Sequence, residues 1–180
     1  MASEVDDAFL VQRAQEGYVE AYSELTDRHG GLAYRVALRL LGNHHDAEDV
    51  AQEALITAWQ RLPGFSARSS FSTWLYQIVT RRALNRISRT RSAESLELID
   101  EVPDQAPDPG DTAVQRHAAD AVINAITALP PPQRVVIVLH HLEGLSNSEV
   151  ARITGSTVPA VRSQLFRGRR TLGKVLQEWR

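Results

Sequence analysis

Apolar residues recur along this chain three or four positions apart and almost nowhere at alternate positions, so it must fold as helices. The sharpest stretch is Asp46–Leu62. Its apolar residues are Ala47, Val50, Ala51, Ala54, Leu55, Ala58, Trp59 and Leu62, a regular alternation that buries one face. Around it, Asp6 or Asp7 can cap a first helix that ends near Gly17. A second is expected over Val19–His29, stopping at Gly30-Gly31, and a third carries Leu32, Val36 and Leu40 up to Gly42-Asn43. The Asp46–Leu62 helix ends before Pro63-Gly64, and another runs from near Ser70 to about Arg89. A second helical block is expected over Thr112–Ala128, from Pro130-Pro131-Pro132 to Leu142, over Ser146–Thr154 and over Val158–Glu178. No internal repeat is visible. The fold class is all-α, as two helical domains.

The break between the blocks is compositional. Thr90–Asp111 holds Pro103, Pro107, Pro109, Gly110 and seven acids, which reads as a linker with at most a short turn at Leu96–Ile99. The boundaries drawn are residues 1–90, a linker at 91–114, and residues 115–180. The chain has 180 residues and a net charge of −2, which alone predicts no nucleic-acid partner. That total conceals a middle of net −6 and a C-terminal block of net +5. Of the 20 basic residues 19 are arginine. GC-rich coding can produce that excess, but not its clustering, and arginine suits phosphate and guanine recognition. With no cysteine there is no disulfide or thiolate metal site. The N-terminus lacks a secretory pattern, and the longest apolar run, Val135–Leu139, is far too short to span a bilayer, so a cytoplasmic protein without membrane insertion is expected.

The C-terminal block contains two short helices joined around a glycine, the description of a helix-turn-helix. Ser146-Asn147-Ser148-Glu149 fits a capping box, and Gly155 allows the turn. Val161, Leu165 and Leu172 stripe the second helix, with Pro159 in its first turn. Arg162, Arg167, Arg169, Arg170 and Lys174 decorate it, and no acid occurs from Thr154 to Gln177. Arg162, Ser163 and Phe166 lie off the apolar stripe, as in a helix that reads a major groove. A helix dipole explains Arg169, Arg170 and Lys174 without DNA, but not Arg162 near the positive end.

In the N-terminal block, Asp49, Gln52, Glu53, Ile56 and Gln60 share the polar face of their helix, where an exposed Ile56 hints at a protein contact. The segment Pro63–Gln77 mixes aromatics, hydroxyls and arginine, and Arg81, Arg82, Arg86, Arg89 and Arg91 follow. Such a mixture suits single-stranded DNA, held by phosphate attraction and base pockets. Phe65, Arg68 and Ser69 are expected to act on the loop, whereas Trp74, Leu75 and Ile78 are expected in the core. His44-His45 and His140-His141 are read as surface pairs, since neighbours in a helix point about 100° apart. No nucleophile triad, phosphate loop or dinucleotide motif appears, so no catalytic residue, metal or cofactor is expected.

Taken together, Asp46–Ala54, Phe71–Leu75, Leu129–Arg134, Leu145–Ala151 and Val161–Arg169 resemble a bacterial RNA polymerase sigma factor of the extracytoplasmic-function (ECF) group. The resemblance covers about Asp7–Arg89 and Asp120–Leu176. It implies a region 2-like bundle and a region 4-like helix-turn-helix. Core polymerase would be bound through Asp46, Asp49, Gln52, Glu53 and Ile56 on the β′ clamp helices, and through the β flap. The −10 element would meet Phe65, Ser66, Arg68, Ser69, Phe71, Arg81 and Arg82, with a flipped base caught by the loop. The −35 element would meet Thr157, Ala160, Arg162, Ser163, Phe166, Arg167 and Arg170. The acidic linker would enter the polymerase channel in place of RNA, and an anti-sigma partner would hold the protein in check. Four residues, at three places, depart from the usual pattern. Arg81 stands where a small polar residue is common, Gln164 where a basic residue is common, and Pro159-Ala160 where Gly-Thr is usual, which implies altered promoter preference. The competing reading is a helix-turn-helix regulator that works without polymerase, its N-terminal block a sensor or dimer module.

Overall fold

A computed structural model describes residues 6–96 and 122–177, and every regular element among them is helical. The first block holds α1 (Asp7–Gln15), α2 (Val19–Leu41), α3 (His44–Arg61) and α4 (Phe71–Leu96), with a single 3-10 turn, Leu62–Gly64, after α3. The second holds α5 (122–127), α6 (Pro131–Ile137), a wide turn at Val138–Leu142, α7 (Asn147–Thr154) and α8 (Val158–Gln177).

The break expected at Gly30-Gly31 does not exist: α2 runs straight through both glycines. Each costs about 0.5–1 kcal/mol in a helix interior. Burial outweighs that, because Leu25, Ala33, Val36, Ala37 and Leu40 are fully enclosed against α3 and α4, and one buried leucine contributes about 1.5–3 kcal/mol. The helix does stop at Gly42, in the left-handed region at φ +77°. A β-carbon there would also come within 2.8 Å of the Thr127 methyl group, so glycine is required twice over. Another difference lies at the end of α4, which continues through Leu96 into the expected linker. Nothing between Thr90 and Leu96 is proline or glycine, so acidity alone does not end the helix. The remaining linker expectation, and the start of the Thr112–Ala128 helix, lie outside the described residues.

Asp6 occupies the N-cap of α1 but makes no side-chain cap bond. Asp7 instead faces α2, meeting His29 at 2.6 Å and Arg28 at 3.2 Å. On α3, Ala47, Val50, Ala51, Ala54 and Ala58 are buried as expected. Trp59 is not: it lies at the rim, 36% exposed, with its ring 4.8 Å from that of Tyr22.

The two blocks touch through buried polar groups. The Arg134 guanidinium donates to the Leu40 carbonyl at the end of α2 (2.6 Å) and to the carbonyls of Leu129 (3.1 Å) and Thr127. It thereby ties the α5–α6 corner to the first block. Burial, with Arg91 adding like charge, pulls its pKa below the ordinary value, but a guanidinium stays protonated at any physiological pH. Glu143, with its side chain only 4% exposed, meets Arg39 and, at 3.9 Å, Arg35. It also accepts a 2.8 Å hydrogen bond from the Tyr76 hydroxyl.

The capping box on α7 is complete. Ser146 Oγ accepts from the Glu149 amide, and the Glu149 carboxylate accepts from the Ser146 amide and hydroxyl. Those bonds hold the Glu149 carboxyl below its ordinary value. Replacing Ser146→Ala is expected to destabilise the chain by about 1 kcal/mol in urea titrations. The stabilisation from Glu149 is present above its unfolded pKa of 4.5 and is lost as pH falls through the lower folded value. The wild-type advantage over the variant should therefore shrink below pH 4.5.

Candidate nucleic-acid interface

Asn43 starts α3 by accepting from the Asp46 amide at 3.0 Å, which fixes the turn carrying the expected acidic face. Gln52 and Glu53 are exposed, Asp46 and Asp49 are half-buried, and Ile56 is 50% exposed. The acids do not stand alone. Arg82 of α4 donates to Glu53 at 2.9 Å and to the Thr57 hydroxyl at 2.7 Å. Arg86 meets Asp46 and lies 3.7 Å from Asp49. Residues expected to serve polymerase and residues expected to serve DNA thus form one network across α3 and α4. Arg81 is exposed and makes no ion pair among the described residues.

The loop between α3 and α4 is held at both ends. At its start the Gln15 side chain of α1 donates to the carbonyls of Leu62 (2.9 Å) and Phe65 (2.8 Å). At its end Ser70 Oγ accepts from the Thr73 amide at 3.1 Å, capping α4. In between, Ala67 adopts φ +53°, a left-handed conformation that a non-glycine residue adopts at a cost of about 1–2 kcal/mol. Phe65 stacks on Trp74 with centroids 4.7 Å apart. Phe65, Ser66, Arg68, Ser69, Trp74 and Gln77 line an open cleft of about 230 Å³. Trp74, expected in the core, is half-buried and forms part of this wall. Phe71 is placed differently from the other expected −10 residues. It is 3% exposed, between His29 and Trp74, so it supports the loop from beneath and has no surface to offer a base. The cleft has a wall that sequence reasoning missed: Arg152, from α7 of the second block.

In the second block, α7 and α8 cross at Gly155, which is left-handed at φ +64°. Val161 and Leu165 are buried, while Thr157, Ala160, Arg162, Ser163, Arg167 and Arg170 are exposed and Phe166 is 69% exposed. Gly168 lets α8 approach α6, for a β-carbon there would come 2.9 Å from Ile137. Gln133, Arg167, Arg170, Thr171 and Lys174 enclose a basic cleft of about 280 Å³. Arg169 is directed elsewhere and donates from Nε to His141 Nε2 at 2.9 Å. His140, expected at the surface, is half-buried, with its Nδ1 at 2.7 Å from the Leu145 carbonyl, to which it donates. Among the described residues no cluster could hold a metal ion, and no helix is long and apolar enough to cross a membrane.

Glu143, Arg39, Tyr76, Gln15 and Arg134 were not singled out from sequence, since each has a partner 47 to 104 residues away. Burial, followed by the neighbouring Glu143 carboxylate, pushes Tyr76 well above its ordinary pKa, so its hydroxyl remains a donor.

The family profile described as "Sigma-70 region 2" matches residues 25–93, and "Sigma-70, region 4" matches residues 119–172. The chain is 30% identical to the ECF RNA polymerase sigma factor SigW of Bacillus subtilis over 93% of this chain and 95% of that one. It is 32% identical to the RNA polymerase sigma-H factor of Pseudomonas aeruginosa over 98% and 97%. Among solved structures, CnrH in complex with the cytosolic domain of CnrY aligns at a TM-score of 0.72 and 26% identity, over 96% of this chain and 97% of that one.

His141 is held below its ordinary pKa by burial and then by the Arg169 and His140 charges. Removing one of those charges with Arg169→Ala should raise the His141 pKa toward 6.5, read by imidazole proton shifts. An unchanged titration would mean that Arg169 does not lie against His141 in solution.

Proposed function

The chain belongs to the ECF RNA polymerase sigma factors, and from that membership we propose how its surfaces divide the work of promoter-specific initiation. Residues 1–90 form the unit that docks on polymerase and captures the −10 element, 115–180 the unit that reads the −35 element, and 91–114 the acidic connection. Asp46, Asp49, Gln52, Glu53 and Ile56 face the β′ clamp helices, and the second block meets the β flap. Phe65, Ser66, Arg68 and Ser69 take a base from the −10 strand, with Arg81 and Arg82 beside the backbone. On α8, Arg162, Ser163 and Phe166 meet base edges, with Thr157, Ala160, Arg167 and Arg170 alongside. Arginine can grip a guanine edge bidentately, worth about 1–3 kcal/mol of discrimination. The chain carries no catalysis of its own and works in the cytoplasm, where its polymerase is.

One observation carries this reading: a base-sized cleft and a basic recognition helix occupy one chain, but too close together to be used at once. Arg152 lines the cleft and Thr157 opens the recognition helix only five positions later, at most about 17 Å along an extended chain. Elements at −10 and −35 are separated by roughly 25 base pairs, about 85 Å at 3.4 Å per step. The closed arrangement must therefore part before both elements can be read. The Glu143 contacts hold it closed in the free chain, and polymerase opens it by docking the blocks apart. CnrH shares this fold and was solved with the cytosolic domain of CnrY, which supports an anti-sigma partner for this chain as well.

Energetics require the polymerase. Opening about ten base-pair steps at about 1.4 kcal/mol each costs roughly 14 kcal/mol, whereas one stacked base returns about 1–3 kcal/mol. The free chain should therefore bind promoters weakly and with strong salt dependence. A regulator acting without polymerase would not need the α3 face.

In a pull-down, replacing Asp49, Gln52 and Glu53 together by alanine should abolish capture of β′. In transcription with core enzyme, Arg162→Ala should reduce discrimination between −35 sequences about tenfold, the lower part of the range for one bidentate contact. Retained β′ capture, or an unchanged promoter profile, would contradict the respective assignment.

A further inference from the structure

We propose that Gln15 is the positioning residue of the −10 loop: its side-chain amide sets the loop's entry so that the cleft is ready before a base arrives. This rests on the loop reading above. Gln15 is on α1, 47 and 50 positions from the two carbonyls it serves. A primary amide has two N–H groups, and here one goes to Leu62 O at 2.9 Å and the other to Phe65 O at 2.8 Å. Leu62 closes α3 and also accepts from the Phe65 amide at 3.0 Å. Phe65 lines the cleft with its ring stacked on Trp74. The amide therefore bridges the end of the scaffold at Leu62 to the cleft wall at Phe65.

The rest of the loop explains why such a brace is needed. Ala67 is in the left-handed region, which the chain leaves when it can. Ser70 pins the far end by capping α4. With Gln15 at the near end, the strained residue lies between two fixed ends. Without it, the loop can relax, and Phe65 can slide from its stack on Trp74. A relaxed loop would still be tethered and folded, but it would pay ordering entropy whenever a base entered. Gln15 itself does not line the cleft, so it acts through the backbone and not on DNA.

The test uses the full chain assembled with core polymerase, with Arg68→Ala as the control for the loop itself. Gln15→Glu is nearly isosteric but turns two donors into acceptors facing two carbonyls, and Gln15→Lys restores a donor of similar reach. For Gln15→Glu the expected result is about a tenfold loss of open complex, read by permanganate reactivity of unpaired thymines. Discrimination between a preferred and a substituted −10 base should fall in parallel. Affinity for core and the melting temperature should stay near wild type, and Gln15→Lys should recover most of the loss. If Arg68→Ala weakens opening while Gln15→Glu leaves both opening and base discrimination at wild-type levels, the brace is wrong and the loop reading stands. If Arg68→Ala also has no effect, the loop reading itself fails. A loss in Gln15→Glu accompanied by an equal loss of core affinity or a lowered melting temperature would mean that Gln15 only stabilises the bundle, which also overturns the proposal.

Discussion

A carboxylate buried between two helical blocks ties them together. Glu143 has its side chain nearly enclosed, with Arg39, Arg35 and the Tyr76 hydroxyl around it. A buried acid without such partners would be strongly unfavourable, so the contact exists only when the blocks are together. Separation returns Glu143, Arg35 and Arg39 to water, where each is well solvated. Arg35 is already half-exposed in the closed form, which keeps the net contribution of these pairs to about 1–2 kcal/mol. With Arg134 on the Leu40 carbonyl beside it, this contact is the latch we propose that polymerase docking opens.

The same logic appears on a smaller scale between α3 and α4. Arg82 pairs with Glu53, and Arg86 with Asp46 and Asp49, the acids proposed to face polymerase. These pairs are largely exposed and contribute little stability. A partner's cations engaging these acids would release Arg82, which lies beside the proposed −10 surface. Under the proposed assignments, the polymerase-facing and −10-facing surfaces therefore share one network of side chains.

Local features were legible in the sequence because their causes are local. Gly42, the Ser146–Glu149 box and the α3 apolar stripe need only neighbours within a turn. The ECF resemblance rested on ordered motifs of the same kind. The misreadings came where tertiary packing overrode local preference. Gly30-Gly31 looked like a stop, but enclosure of Leu25 and Val36 on either side carries α2 through. The resemblance placed Phe71 among the residues of the loop expected to hold a base, whereas its ring is buried against His29, far away in sequence. Arg152 and Glu143 were invisible for a related reason, since a single charge on a short helix carries no sign of which distant surface it meets.

Because the chain has no cysteine, dyes placed by Ser88→Cys on α4 and Gly173→Cys on α8, both exposed positions, report the separation of the blocks directly. Energy transfer should be high in the free chain, fall when Glu143→Lys sets three cations together, and fall again in the wild-type chain on adding core polymerase. Transfer that is already low in the free chain, or that stays high in both Glu143→Lys and the polymerase complex, would contradict a latched and openable sigma factor.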